Sequence, residues 1–135
     1  MKLRLQQAIQ ENEYYFRGFV RMADLAELFR EYPFEEETLE KAAIHRRSME
    51  HGISSFTVTL RAMPDTGRTT EGEDLFFEDA MWEIRDGKSR VAALSRMTEE
   101  ELDGHEAEVK IFFSQRKKWK TWSRTVSDRI NKRKM

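Results

Sequence analysis

Two repeating patterns of apolar residues divide the chain into strands and helices. In residues 54–63, Phe56, Val58 and Leu60 alternate with polar side chains, which is typical of a half-buried strand. In other segments, apolar residues three and four positions apart indicate amphipathic helices. The predicted strands cover residues 16–22, 54–63, 75–84 and 107–113. The predicted helices cover residues 3–13, 24–30, 35–50, 89–97 and 98–102. This mixture predicts a single domain of the α+β or α/β class.

Glycine and proline mark the boundaries between these elements. Pro33 predicts the end of one helix, and Gly52 predicts the end of the next. Residues 64–74 are polar and contain proline and glycine, which predicts an exposed loop or hairpin tip. Asp86 and Gly87 predict a tight turn between a strand and a helix, because glycine adopts backbone conformations that other residues avoid.

The composition excludes several kinds of site. The 135 residues include no cysteine, so neither a disulfide framework nor a cysteine nucleophile is expected. His45, His51 and His105 do not have the spacing of metal ligands, and no metal site is predicted. The amino-terminal residues do not resemble a signal peptide, and no apolar run approaches the roughly 20 residues of a membrane span. These features predict a soluble cytoplasmic protein without a membrane partner.

Charge is divided unevenly along the chain. Residues 1–109 carry 14 basic and 24 acidic residues, whereas residues 110–135 carry 10 basic residues and one acidic residue. This asymmetry predicts a domain over residues 1–113 followed by a basic helix over residues 114–135. The proposed nucleic-acid-binding residues of the basic tail are Arg116, Lys117, Lys118, Trp119, Lys120, Trp122 and Arg124.

The basic tail has two interpretations that its sequence leaves open. Its cations are suited to phosphate groups of DNA, and Trp119 and Trp122 are suited to stacking on bases. Alternatively, a stripe that includes Trp119, Trp122 and Val126 packs on the acidic domain, because aromatic residues at helical spacing usually belong to a core. Exposed aromatic residues on this helix would also be compatible with a homodimer.

The segment around Gly87 has the features of a phosphate site. Gly87 allows a close approach of the backbone to a ligand, and Lys88, Ser89 and Arg90 follow at the predicted start of a helix. The amide groups there are free to donate hydrogen bonds to an anion. The same pattern also occurs in turns that bind nothing, and the sequence alone leaves this alternative open.

An ordered set of short motifs resembles a known family. A helix is followed by a segment containing Gly52, then by a strand, and later by a turn of the form Gly-x-x-Arg, here Gly87 to Arg90, ahead of Ala92 and Ala93. Over about residues 16–113, this order resembles the N-terminal domain of ParB-type partition proteins and the related sulfiredoxin-like fold. The resemblance implies a ParB/sulfiredoxin-like domain with a basic carboxyl-terminal helix.

The resemblance also implies a nucleotide site and a function. In the family, the two glycine-containing segments hold the phosphates of a nucleotide, which implies an NTP with Mg²⁺ as the ligand and NTP hydrolysis or nuclease activity associated with DNA. Glu50, beside this site, is a candidate for binding Mg²⁺ or for acting as a base, and the alternative is that it belongs to a solvated helix end. The turn holds no cysteine, so the sulfiredoxin reaction is not expected. The implied phosphate-binding residues are Gly52, Ile53, Ser54, Gly87, Lys88, Ser89 and Arg90.

A second function class remains open at this stage. The chain could keep the fold without catalysis, as a small DNA-associated or protein-inhibiting accessory factor of a phage, a plasmid or another mobile element. Whether the chain is an enzyme is therefore not decided by its sequence.

Overall fold

A mixed β-sheet with helices packed against it forms the part of the chain that the computed structural model describes, which is residues 3–63, 66–78 and 81–113. The strands are β1 (Leu3–Asn12), β2 (Tyr15–Arg21), β3 (Thr57–Ala62), β4 (Arg68–Glu71), β5 (Asp74–Phe77), β6 (Glu83–Asp86) and β7 (Glu106–Phe113). The helices are α1 (Met22–Leu28), α2 (Glu36–Met49), α3 (Lys88–Leu94) and α4 (Glu99–Leu102). The fold therefore belongs to the α+β class, as predicted.

The strands are arranged in the order β4-β5-β1-β2-β7-β3-β6. All neighbouring pairs are antiparallel except β3 and β7, which run parallel next to the edge strand β6. Parallel neighbours require a crossover connection. The connection between β3 and β7 contains β4, β5, β6, α3 and α4. Within this connection, β6 pairs with β3 as the edge strand of the sheet, and α3 follows it.

One continuous core joins the sheet to the helices. Along β7 every second residue is buried, and along β2 Phe16 and Val20 are buried on the same side as the helices. Met22 and Leu25 of α1 and Leu94 of α3 belong to the same cluster. Each fully buried side chain of this size contributes roughly 1.5–3 kcal/mol relative to exposure, so this cluster is the main source of stability.

Helices α2 and α3 pack closely because small residues face each other. Ala42 of α2 and Ala92 and Ala93 of α3 are at most 1% exposed and form a second buried cluster. Alanine side chains leave little volume between two helix backbones, so the helices can approach closely. This contact fixes the position of α2 relative to the turn at which α3 begins.

The predicted helix over residues 3–13 is wrong, because these residues form β1. Leu3 and Leu5 are fully buried and Arg4 between them is exposed, which is the alternation of a strand. The alternation is lost further along, where Gln7 has a φ of +52° and the pairing with β2 shifts between Gln6 and Ile9. This irregularity conceals the strand period, and pairing with β2 and β5 outweighs local helix propensity.

The predicted single strand over residues 75–84 is also wrong. It consists of parts of two strands, β5 and β6, which lie in different regions of the sheet. The exposed segment 64–74 contains β4, which pairs with β5 in a hairpin whose turn includes Gly72. All four residues of β4 are exposed, so this strand has no apolar alternation that could reveal it in the sequence.

The other predicted elements are confirmed to within a few residues. Thr98 forms the expected capping box, in which its hydroxyl accepts a hydrogen bond from the Glu101 amide (3.2 Å) and the Glu101 carboxylate accepts one from the Thr98 amide (2.9 Å). None of the described helices has the length and apolar character required to cross a membrane. The predicted basic helix over residues 114–135 lies outside the described residues.

The turn at Gly87 is formed as predicted, between β6 and α3. Gly87 has a φ of +85° and a ψ of +19°, in the left-handed region that glycine adopts without strain. A β-carbon at this position would lie 3.2 Å from the carbonyl oxygen of Thr57 in β3. Glycine is therefore favoured here by backbone conformation and also by the close approach of a neighbouring strand.

Replacement of Gly87 tests both of these requirements. Gly87→Ala should lower the free energy of unfolding by about 2–3 kcal/mol, because left-handed backbone strain of about 1–2 kcal/mol is added to the contact with Thr57. Gly104→Ala is the matched control, since Gly104 has a φ of +80° and open space around its α-carbon. Urea unfolding of both variants measures the difference. An equal decrease in the free energy of unfolding in both variants would show that the contact with Thr57 does not destabilise Gly87→Ala.

Candidate functional site

Strand pairing brings the two predicted phosphate-binding segments together. The segment that contains Gly52 leads into β3, and Gly87 directly follows β6. Because β3 and β6 are antiparallel, with Thr59 opposite Asp86, the start of β3 lies beside the end of β6. Two segments that are 35 positions apart in the chain therefore meet at one edge of the sheet.

The first of these segments is shaped by the end of α2. The Gly52 amide donates a hydrogen bond to the Met49 carbonyl (3.1 Å), and Gly52 has a φ of +136°. No β-carbon contact would arise at Gly52, so backbone conformation is the reason for glycine here. The chain then turns away from the helix axis through Ser54 and Ser55 into β3, as expected for a helix that ends at a glycine.

A cleft of about 190 Å³ lies between the two segments, and it is called the phosphate cleft below. Three of the seven predicted phosphate-binding residues line it, namely Gly52, Ser54 and Arg90. The Arg90 guanidinium also lies 5.8 Å from the centre of the Phe56 ring, a cation–π contact that holds the charge at the cleft. The complete lining is His45, Ser48, Met49, Gly52, Ser54, Ser55, Phe56 and Arg90.

The other four predicted residues have different positions. Gly87 forms the turn behind the cleft, and the Ser89 hydroxyl lies 3.1 Å from His45 Nε2. Lys88 is exposed and is not part of the cleft lining, and its charge acts on Glu83. Ile53 lines a neighbouring cleft instead.

That neighbouring cleft also contains the candidate catalytic residue Glu50. It has a volume of about 340 Å³ and adjoins the phosphate cleft at Met49, which lines both. Glu50 is exposed and does not line the phosphate cleft. Among residues 3–63, 66–78 and 81–113, no three or more histidine, aspartate or glutamate side chains are grouped so that they could hold a metal ion.

His45 is a residue of the site that the sequence prediction missed. Burial and, to a smaller degree, the charge of Arg90 lower the pKa of His45 below its ordinary value. The imidazole is therefore neutral at pH 7, and depending on its tautomer it donates a hydrogen bond to Ser89 or accepts one. His45, Ser48 and Gly52 are spaced by three and four positions, and residues at this spacing lie on one face of a helix. This pattern is the sequence feature that could have identified His45.

The arrangement is suited to binding a single phosphate group. The Arg90 guanidinium can donate two parallel hydrogen bonds to phosphate oxygens, and the hydroxyl groups of Ser48 and Ser54 can donate others. Sites that enclose a whole small molecule usually have about 300–1,000 Å³. A cleft of about 190 Å³ therefore has room for a phosphate group and is too small for a whole nucleotide.

The basic tail, which includes the candidate residues from Arg116 to Arg124, lies outside the described residues. Comparison of the chain with models of protein families, with curated proteins and with solved structures finds no match.

Proposed function

We propose that this chain binds a nucleotide, and that the phosphate cleft holds one of its phosphate groups. The observation that supports the proposal is the position of Arg90 in the same cleft as the Gly52–Ser54 segment. The sequence resemblance to ParB-like domains implies the same juxtaposition. A short Gly-x-x-Arg turn without a second segment opposite it would support the proposal much less.

Each group of the cleft has a distinct role in this proposal. The Arg90 guanidinium supplies the positive charge, and its cation–π contact with Phe56, which also lines the cleft, restrains the side chain. Serine hydroxyls and the backbone near Gly52 supply further donors. His45 is neutral in the free protein, so a bound phosphate dianion would favour its protonation and gain a second cation.

The base and the metal of the nucleotide would lie outside the phosphate cleft. The adjoining 340 Å³ cleft offers apolar surface from Ile53 and Met97. Mg²⁺ usually binds through substrate phosphates and one or two carboxylates, and Glu50 is a carboxylate in this adjoining cleft. NTP hydrolysis or nuclease activity would additionally require a base, and the neutral imidazole of His45 can accept a proton.

Replacement of Arg90 tests the nucleotide proposal. Arg90→Ala should raise the Kd for ATP or CTP with Mg²⁺ by about tenfold to a hundredfold, because one charge-assisted contact is worth roughly 1–3 kcal/mol. Arg47→Ala is the control, since Arg47 is exposed on α2, carries the same charge and does not line the cleft. Isothermal titration calorimetry measures both variants. No binding of any NTP at millimolar concentration would contradict the proposal.

The pH dependence of binding tests the role of His45. The pKa of His45 is lowered in the free protein and should rise when an anion binds, so binding should take up a proton and strengthen as the pH falls from 7.5 to 5.5. Because one proton is linked to binding, the Kd should change by less than about tenfold per pH unit. His45→Gln should show a smaller change, and titration of the nucleotide itself is common to both proteins. If the Kd of the unmodified protein and that of His45→Gln depend on pH in the same way, His45 is excluded from the site.

A second candidate function is non-catalytic association with DNA through the basic tail, as an accessory factor of a mobile element. The observation that favours it is the charge of residues 110–135, which hold 10 basic residues and one acidic residue. Cations at this density release counterions when they bind DNA, and this release makes binding strongly dependent on salt. A homodimer would double the number of such contacts.

Salt dependence tests the DNA proposal. Replacement of Lys117, Lys118 and Lys120 by glutamine should flatten the plot of log K against log salt by about 0.9 for each lost phosphate contact. Lys41→Gln is the control, because Lys41 lies on α2 and is positioned near Glu37 (3.9 Å). Fluorescence anisotropy with duplex DNA measures the slopes. Unchanged slopes, together with a lower melting temperature in a variant that ends at Phe113, would instead show that the tail packs on the acidic domain.

A further inference from the structure

A second and larger cleft lies near the other end of the α2–α3 contact. It has a volume of about 470 Å³, within the range of about 300–1,000 Å³ that is usual for small-molecule sites. None of the predicted phosphate-binding residues lines it. The residues on which its chemistry depends are Arg30, Tyr32, Phe34, Leu39, Arg46 and Arg96. The cleft is called the arginine cleft below.

Three guanidinium groups meet in this cleft from three separate segments. Arg30 follows α1, Arg46 lies in the last turn of α2, and Arg96 follows α3. Arg30 is 3.3 Å from a carboxylate oxygen of Glu27. Within the described parts of the chain, Arg46 and Arg96 form no ion pair with a carboxylate within 4.0 Å. The lining therefore contains three cations and no carboxylate, while Glu27 lies beside Arg30 and the charge of Arg46 acts on Glu101. A bound anion would add a partner for these cations.

The position of Arg30 is restrained by a second contact. Its guanidinium lies 3.5 Å from the carbonyl oxygen of Met97, the residue that follows Arg96. This contact crosses from the segment after α1 to the segment after α3. The contact therefore holds the Arg30 guanidinium beside the segment that carries Arg96, and both arginines line the cleft. Two guanidinium groups at one anion can each donate charge-assisted hydrogen bonds to it.

Aromatic side chains form another wall of the arginine cleft. The rings of Tyr32 and Phe34 have centres 4.8 Å apart and are tilted by 50°, and Tyr32 also contacts the buried ring of Phe29 edge-on at 5.4 Å. These contacts fix the orientation of Tyr32. Burial raises the pKa of Tyr32, so the ring remains neutral at physiological pH. Leu39 of α2 adds a further apolar group.

We propose that the arginine cleft binds a small organic phosphate that carries a flat aromatic ring. The phosphate would be held between the guanidinium groups of Arg46, Arg96 and Arg30, and the ring would lie against Tyr32 and Phe34. Arginine is suited to both parts of this ligand, because its planar group pairs with phosphate oxygens and stacks on rings. The proposal does not rest on the phosphate cleft, although Arg46 also lines the adjoining cleft that contains Glu50.

Phenyl phosphate and inorganic phosphate are the probes for this site, titrated into the full chain and followed by amide chemical shifts in ¹H–¹⁵N NMR spectra. Phenyl phosphate should shift the amides of residues 30–32, 34 and 95–97, and Arg96→Gln should raise its Kd by about tenfold. Arg96 is the most informative position, because Arg46 also lines the cleft that contains Glu50. Inorganic phosphate should bind at the same amides but more weakly, since it has no ring.

Arg47→Gln is the control, and it should leave the affinity for phenyl phosphate, followed at the amides of the arginine cleft, within about twofold of the unmodified protein. Arg90→Ala tests whether the ligand binds in the phosphate cleft instead. An equal loss in Arg47→Gln would overturn the proposal, because the effect would then come from the general charge of α2. Loss in Arg90→Ala with no effect of Arg96→Gln would place the ligand in the phosphate cleft and would also overturn it. Equal affinities for phenyl phosphate and inorganic phosphate would overturn the role of the aromatic wall.

Discussion

The antiparallel pairing of β3 with β6 is the constraint on which the candidate site depends. It places the start of β3 beside the end of β6, so the loop after α2 and the turn before α3 must lie next to each other. Gly87 makes this geometry possible, because the backbone of β3 passes 3.2 Å from where a β-carbon would lie. The position of Arg90 follows directly, since it lies in the first turn of α3, three residues after that glycine.

The contact between α2 and α3 determines how the cations are distributed. Ala42, Ala92 and Ala93 let the two helices approach closely, and the clefts form where the helices and their connecting segments diverge from this contact. His45 and Arg46 are neighbours in the sequence, but successive residues of a helix point about 100° apart. They consequently line different clefts, His45 beside Arg90 and Arg46 beside Arg96.

Local sequence signals predicted the turns and caps of this fold well, because each depends on residues close together in the chain. The left-handed turn at Gly87 and the capping box between Thr98 and Glu101 were both predicted from a few neighbouring residues. Strand β1 was not, because the irregularity at Gln7 interrupts its alternation. Strand β4 was missed because all its residues are exposed and it is stabilised by pairing alone.

The candidate sites show the same division between local and distant information. Each of the two segments at the phosphate cleft carries a glycine signal, and the family resemblance implies that they lie opposite each other; three of the seven residues named on this basis line the cleft. The arginine cleft could not be predicted, since Arg30, Arg46 and Arg96 belong to no common motif and meet only after α1, α2 and α3 have packed. His45 was missed for a related reason, because its partner Ser89 is 44 positions away.

Long-range electrostatics separates anion binding in the clefts from anion binding by the tail. Residues 1–109 contain ten more acidic than basic residues, so the domain as a whole repels an approaching anion. The proposed binding in either cleft would therefore depend on short contacts with guanidinium groups, which act within the screening length of about 8 Å at physiological salt. Added salt would weaken the repulsion by the domain and the local attraction together, so its two effects would oppose each other. Residues 110–135 hold ten basic residues and one acidic residue, so their proposed attraction for a polyanion would be lost steadily as salt increases. The proposed anion binding by the clefts and by the tail would therefore differ in its dependence on salt, and this difference follows from the distribution of charge along the sequence.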